Sequence, residues 1–78
     1  MDMERIEAIR TTLQLLKKEF NLSGKIVYEY LEAHECKQTP KIQRINQFIN
    51  GKYQRLNTQA LELMEQFIKD KKQILYRL

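Results

Sequence analysis

The chain has 78 residues, 42% of them hydrophobic, with two glycines, one proline and a net charge of +4 from 14 Lys and Arg against 10 Asp and Glu. That length allows one small domain with a modest core, and the composition excludes a disordered or low-complexity chain. No apolar run approaches the roughly 20 residues that cross a bilayer, and the opening MDMERIEAIR alternates charge without the apolar stretch of a signal peptide.

A single cysteine, Cys36, cannot form an internal disulfide, so a reducing cytoplasm is the expected compartment. Cys36 and His34 alone fall short of the about four ligands of structural zinc. Cys36 is read as a loop or half-buried thiol, and no metal or cofactor is expected.

The charge is unevenly placed. Residues 1–35 carry Asp2, Glu4, Glu7, Glu19, Glu29, Glu32 and Glu35 against Arg5, Arg10, Lys17, Lys18 and Lys25. Residues 36–56 carry Lys37, Lys41, Arg44, Lys52 and Arg55 and no acid at all. A local basic stretch of this kind attracts a polyanion.

No segment alternates with period two, and helical spacing runs throughout, which predicts an all-α bundle of four helices over about residues 2–20, 24–35, 40–50 and 58–76. In the first, Ile6, Ile9, Leu13, Leu16 and Phe20 form one stripe, Asp2 is the expected N-cap, and Lys17 and Lys18 suit the negative pole. Ser23 is the expected cap of the second, whose apolar face is Ile26, Val27, Tyr30 and Leu31. Residues 34–38 read as a turn. Thr39-Pro40 then signals the third helix, with Thr39 as cap and proline at the first helical position. Ile42, Ile45, Phe48 and Ile49 are expected inward, and Gly51 is the expected left-handed terminator. Asn57 or Thr58 caps the fourth helix. There Leu61, Met64, Ile68, Leu75 and Leu78 keep heptad spacing, widened by Ala60, Leu63 and Phe67 over the first half.

The outward face of the third helix should carry Gln43, Arg44 and Gln47, flanked by Asn46 and Asn50. Glutamine and asparagine can bond the adenine edge in two places, and arginine the guanine edge. Gln43, Arg44 and Gln47 are therefore the candidate base readers. Lys37, Thr39, Lys41, Asn50, Lys52 and Arg55 are the candidate contacts to the DNA backbone.

Three stretches resemble lambda-repressor-like helix-turn-helix domains. Residues 16–23, LKKEFNLS, look like the end of the first helix and the start of the second. Residues 45–52, INQFINGK, look like the third helix and its Asn-Gly-Lys close, and residues 60–68, ALELMEQFI, are similar to the helix that follows. The resemblance covers about residues 13–68. It implies a repressor-type DNA reader in which Lys41, Gln43, Arg44 and Gln47 contact the groove and Asn50 and Lys52 lie near the backbone. The join around residues 34–38 departs from the family's tight turn of about three or four residues. Either the second helix is a turn longer or the turn has grown into a loop.

The expected function is a small sequence-specific reader of double-stranded DNA, a transcriptional regulator acting as a homodimer, with Ile68, Leu75 and Leu78 as candidate pairing residues. The alternative is a helical protein-interaction module that uses its C-terminal helix and no nucleic acid, with Tyr28, Tyr30, Tyr53 and Tyr76 as anchors. An enzyme is not expected. There is one His and one Cys, no glycine-rich phosphate loop and no small-molecule pocket motif, and Glu62/Gln66 and Glu65/Lys69 look like surface pairs. A membrane-surface role through Lys69, Lys71 and Lys72 is disfavoured by the intervening Asp70 and by Glu65.

Overall fold

Each helix start is fixed by a side chain that satisfies a free backbone donor or by the geometry of the chain before it. In the computed structural model, which describes residues 2–53 and 55–75 (the backbone alone for 72–75), four helices follow one another: α1 (Met3–Phe20), α2 (Gly24–Ala33), α3 (Ile42–Ile49) and α4 (Thr58–Leu75). The Asp2 carboxylate accepts from the Arg5 N–H at 2.9 Å, the Ser23 hydroxyl from Ile26 at 3.4 Å and the Asn57 amide oxygen from Ala60 at 2.8 Å. These are the expected caps of α1, α2 and α4. Leu22 and Val27 bracket the start of α2, and Leu56 and Leu61 that of α4, at hydrophobic-staple positions; all four are buried.

The ends are as specific. Asn21 closes α1 in the left-handed region. At the end of α3, Gly51 takes φ +81°, the Gly51 N–H donates to the Phe48 carbonyl and the Lys52 N–H to the Gln47 carbonyl. That is a Schellman motif with glycine where it belongs. The end of α2 makes the same pair of bonds, from Glu35 to Glu32 and from Cys36 to Leu31, but the left-handed residue is Glu35 at φ 57°.

The core joins Ile6, Ile9, Leu13 and Leu16 of α1 to Val27 and Leu31 of α2, Ile45, Phe48 and Ile49 of α3, and Ala60, Leu61, Met64 and Phe67 of α4. Both α3 and α4 pack on α1 and on α2. The result measures 34 × 25 × 22 Å. No helix among the described residues is long and apolar enough to cross a membrane.

Several side chains depart from expectation. Phe20, Ile26 and Ile42 are 39%, 40% and 37% exposed, each near a helix end. The second helix ends at Ala33, two residues early, so the enlarged join is a loop over residues 34–41. It is held rather than loose. Cys36 is buried in the core, the Lys37 N–H donates to Gln59 Oε1 at 3.0 Å, and Asn57 Nδ2 donates to the Gln38 carbonyl at 2.8 Å. Glu65 pairs with Arg5 of α1, at 2.7 Å to Nε and 2.5 Å to Nη2, and not with Lys69 on its own helix. The tyrosines Tyr28 and Tyr30 are half-buried against the core, while Tyr76 lies outside the described residues.

Candidate nucleic-acid interface

The third helix is short, and neighbouring elements decide its pose. An eight-residue helix is about 12 Å long and leaves unpaired carbonyls at its C-terminal end. A ladder of side chains from α1 meets that end. Arg10 Nε donates to the Phe48 carbonyl at 2.9 Å and its Nη2 to the Tyr53 carbonyl at 3.0 Å. Gln14 Nε2 donates to the Ile49 carbonyl at 2.7 Å, and Lys17 Nζ to Asn50 Oδ1 at 3.2 Å. Positions 10, 14 and 17 lie along one edge of α1, beside the apolar stripe. Arg10 is 5% exposed, pairs with Glu7 and places its guanidinium 4.6 Å from the centre of the Phe48 ring. A donor charge at the negative pole of α3 is favourable, and a buried arginine with several hydrogen bonds is satisfied. Charge and periodicity alone left Arg10 unassigned. The one signal for it was a base immediately after Ile9, at the edge of the stripe.

The N-terminal end differs from the expected cap. The helix begins at Ile42, with Lys41 in extended conformation before it and no side chain bonded to the first turn. Thr39 does not cap it; its hydroxyl donates to the Cys36 carbonyl at 3.2 Å. A residue before proline is confined to extended conformations. Here the extension runs on through Lys41, because the chain must travel from buried Cys36 and the first turn of α4 to reach α3.

The exposed face brings the candidate readers together. Gln43 and Arg44 are exposed and Gln47 is half-buried. With Thr39, Pro40 and Lys41 they line one open groove of about 440 Å³. Lys37 and Lys41 lie before α3, Lys52 and Arg55 after it, and all four are exposed. Asn50 is exposed and accepts from Lys17. Asn46 is the exception, being half-buried against the start of α2. A Cβ on Gly24 would fall 2.3 Å from Asn46 Oδ1, so Gly24 is what lets α3 seat so closely. Tyr53 also joins the face. Its backbone N–H donates to the Gln47 carbonyl at 3.1 Å, and the Arg44 guanidinium lies 4.1 Å above the centre of its ring. Such a cation–π contact is worth about 0.5–1 kcal/mol at an exposed site.

A second groove, about 730 Å³, runs between α1 and α4. Its floor includes Ala8, Ile9 and Ile68, and its rim carries Arg5, Glu62, Glu65, Lys69 and Asp70. Of the candidate pairing residues, Ile68 is half-buried against the core beside this groove, Leu75 is in α4, and Leu78 lies outside the described residues. On the far side of α4, Tyr30 donates to Asp70 Oδ2 at 2.9 Å, stacks on the His34 ring at 4.0 Å and meets Phe67 edge-on. Burial and the bond to Asp70 push the Tyr30 phenol up to about 12. Among the described residues no three His, Cys, Asp or Glu side chains cluster as metal ligands. Compared with known proteins, the chain matches no family model, no curated protein and no solved structure.

Proposed function

We propose that the protein is a small sequence-specific binder of double-stranded DNA that lays α3 in the major groove. The observation that carries this reading is the shared exposed face of Gln43, Arg44 and Gln47, set between exposed bases in a stretch without acids. A helix about 10–12 Å across with its side chains fits a groove about 12 Å wide. Gln43, Arg44 and Gln47 supply the donors and acceptors that base edges require, and Lys37, Lys41, Lys52 and Arg55 grip phosphates on either side. The resemblance to lambda-repressor-like domains supports the role of a transcriptional regulator. A homodimer, doubling the short readout, is part of the proposal.

Anisotropy titration of a labelled mixed-sequence duplex over a range of salt tests it. Four phosphate grips per protomer predict log K falling with log salt at a slope between about −3 and −4 for a single protomer, and about twice that for a dimer on two half-sites. Substituting Gln43, Arg44 and Gln47 together by alanine removes sequence preference and leaves that slope nearly unchanged. Absence of binding at micromolar protein in low salt overturns the reading.

The groove between α1 and α4 favours one second reading, a protein-interaction module whose partner lies along α4. Its mixed-charge rim, with Glu62, Glu65 and Asp70 beside Arg5 and Lys69, suits a polar peptide better than a phosphate backbone.

A further inference from the structure

Among the candidate base readers on the α3 face, Arg44 has its planar end held by an aromatic ring. Its guanidinium carbon sits over the Tyr53 ring, 4.1 Å from the ring centre. A guanidinium held against a ring by its carbon keeps N–H groups available at its edge. Tyr53 is itself anchored through its backbone: its N–H donates to the Gln47 carbonyl and its carbonyl accepts from buried Arg10. The loop after α3 thus folds back along the helix and presents a fixed aromatic platform one turn from Gln47. The ring, 37% exposed, has a face covered by Arg44 and is to that extent closed to an unpaired base.

We infer that Tyr53 is a specificity-determining positioning residue, which holds Arg44 with its N–H edge aimed at a guanine in the major groove. The inference rests on the proposed reading of α3 and names the base it selects. Guanine offers O6 and N7 as adjacent acceptors, which match two N–H groups of a guanidinium, and a good bidentate pair discriminates against other bases by roughly tenfold or more. An arginine on a flexible stem loses rotamer freedom when it docks; one already stacked has less to lose. Gln43 and Gln47, with no such support among the described residues, read neighbouring positions less strictly.

The test is selection from a randomised duplex library, followed by titration of the enriched duplex and its single-base variants. The wild-type protein, Tyr53→Ala, Tyr53→Phe and Arg44→Lys are compared. The wild type is expected to enrich one invariant guanine and to lose roughly tenfold in affinity when that base is replaced by 7-deazaguanine, which lacks the N7 acceptor. Arg44→Lys abolishes the preference. Tyr53→Ala weakens it severalfold, more than it weakens binding to random duplex, and Tyr53→Phe restores it, because the ring and not the hydroxyl carries the stack. The Tyr53 contacts that brace the loop are made by its backbone, so Tyr53→Ala is expected to keep the helical circular dichroism of the wild type. Two outcomes overturn this inference while leaving duplex binding intact: enrichment with no guanine position, or a guanine preference equally strong in Tyr53→Ala. Failure of the wild type to bind any duplex overturns the proposed function along with it.

Discussion

Truncating Arg10 takes a donor from two carbonyl oxygens, that of Phe48, which keeps the Gly51 N–H, and that of Tyr53 in the loop after α3. The Arg10 guanidinium is the donor to both, and the side chain is almost wholly buried. Losing a charged donor at such acceptors costs about 1–3 kcal/mol each, so Arg10→Ala is expected to lower the unfolding free energy by about 3 kcal/mol. The readout is the urea midpoint, at an unchanged slope. Arg10→Lys should recover little of this, because one ammonium cannot reproduce the fork that reaches both carbonyls. Composition predicts that an arginine on α1 faces water. What overrides it is the need of α3 for donors at its C-terminal end, a need that arises only when the two helices meet. Asp2, Ser23, Asn57 and Gly51 were legible beforehand for the opposite reason: a cap answers to backbone groups within a few residues of itself.

The four helices were readable from their apolar spacing, but the seat of α3 was not. Its start moved from Pro40 to Ile42 and Thr39 turned back to Cys36, because the preceding loop is tied to α4 by Asn57 and Gln59. Those partners lie about 20 residues away in sequence, beyond what a local cap signal can report. The close approach of α2 and α3 depends on Gly24, whose missing side chain leaves room for Asn46. Gly24→Ala gains helix propensity yet pushes Asn46 aside, and a net loss of about 1 kcal/mol is expected. Adding Asn46→Ala should restore stability; equal loss in the double variant would show that the seat is set elsewhere. The tie between α2 and α4 carries its own signature. Folding favours the neutral Tyr30 phenol, whose value rises to about 12 from about 10 in the unfolded chain. Its contribution is therefore complete below about pH 10 and is lost as pH climbs from about 10 to 12. Urea unfolding across that window should show a shallower decline in Tyr30→Phe than in the wild type. Tyr28, shifted the same way by Glu32, remains as a shared background.

Taken as a single body, the molecule has two surfaces of different charge. The stretch that holds α3 carries bases and no acid, while the groove between α1 and α4 mixes Glu62, Glu65 and Asp70 with Arg5 and Lys69. The basic stretch was legible in the composition, and the shared face of Gln43, Arg44 and Gln47 in the spacing along one helix. The α1 ladder and the fold-back of Tyr53 onto Arg44 depend on contacts across about 10 to 40 positions, and no periodicity encodes them. The two grooves make the competing functions separable in space. The most direct measurement is an amide chemical-shift map of the labelled protein titrated with a mixed-sequence duplex at low salt. The account predicts shifts concentrated in residues 37–55, strongest at Gln43, Arg44, Gln47 and Tyr53, with the groove residues Ala8, Thr12 and Gln66 unmoved. Shifts confined to that groove, or none at micromolar protein, would contradict it.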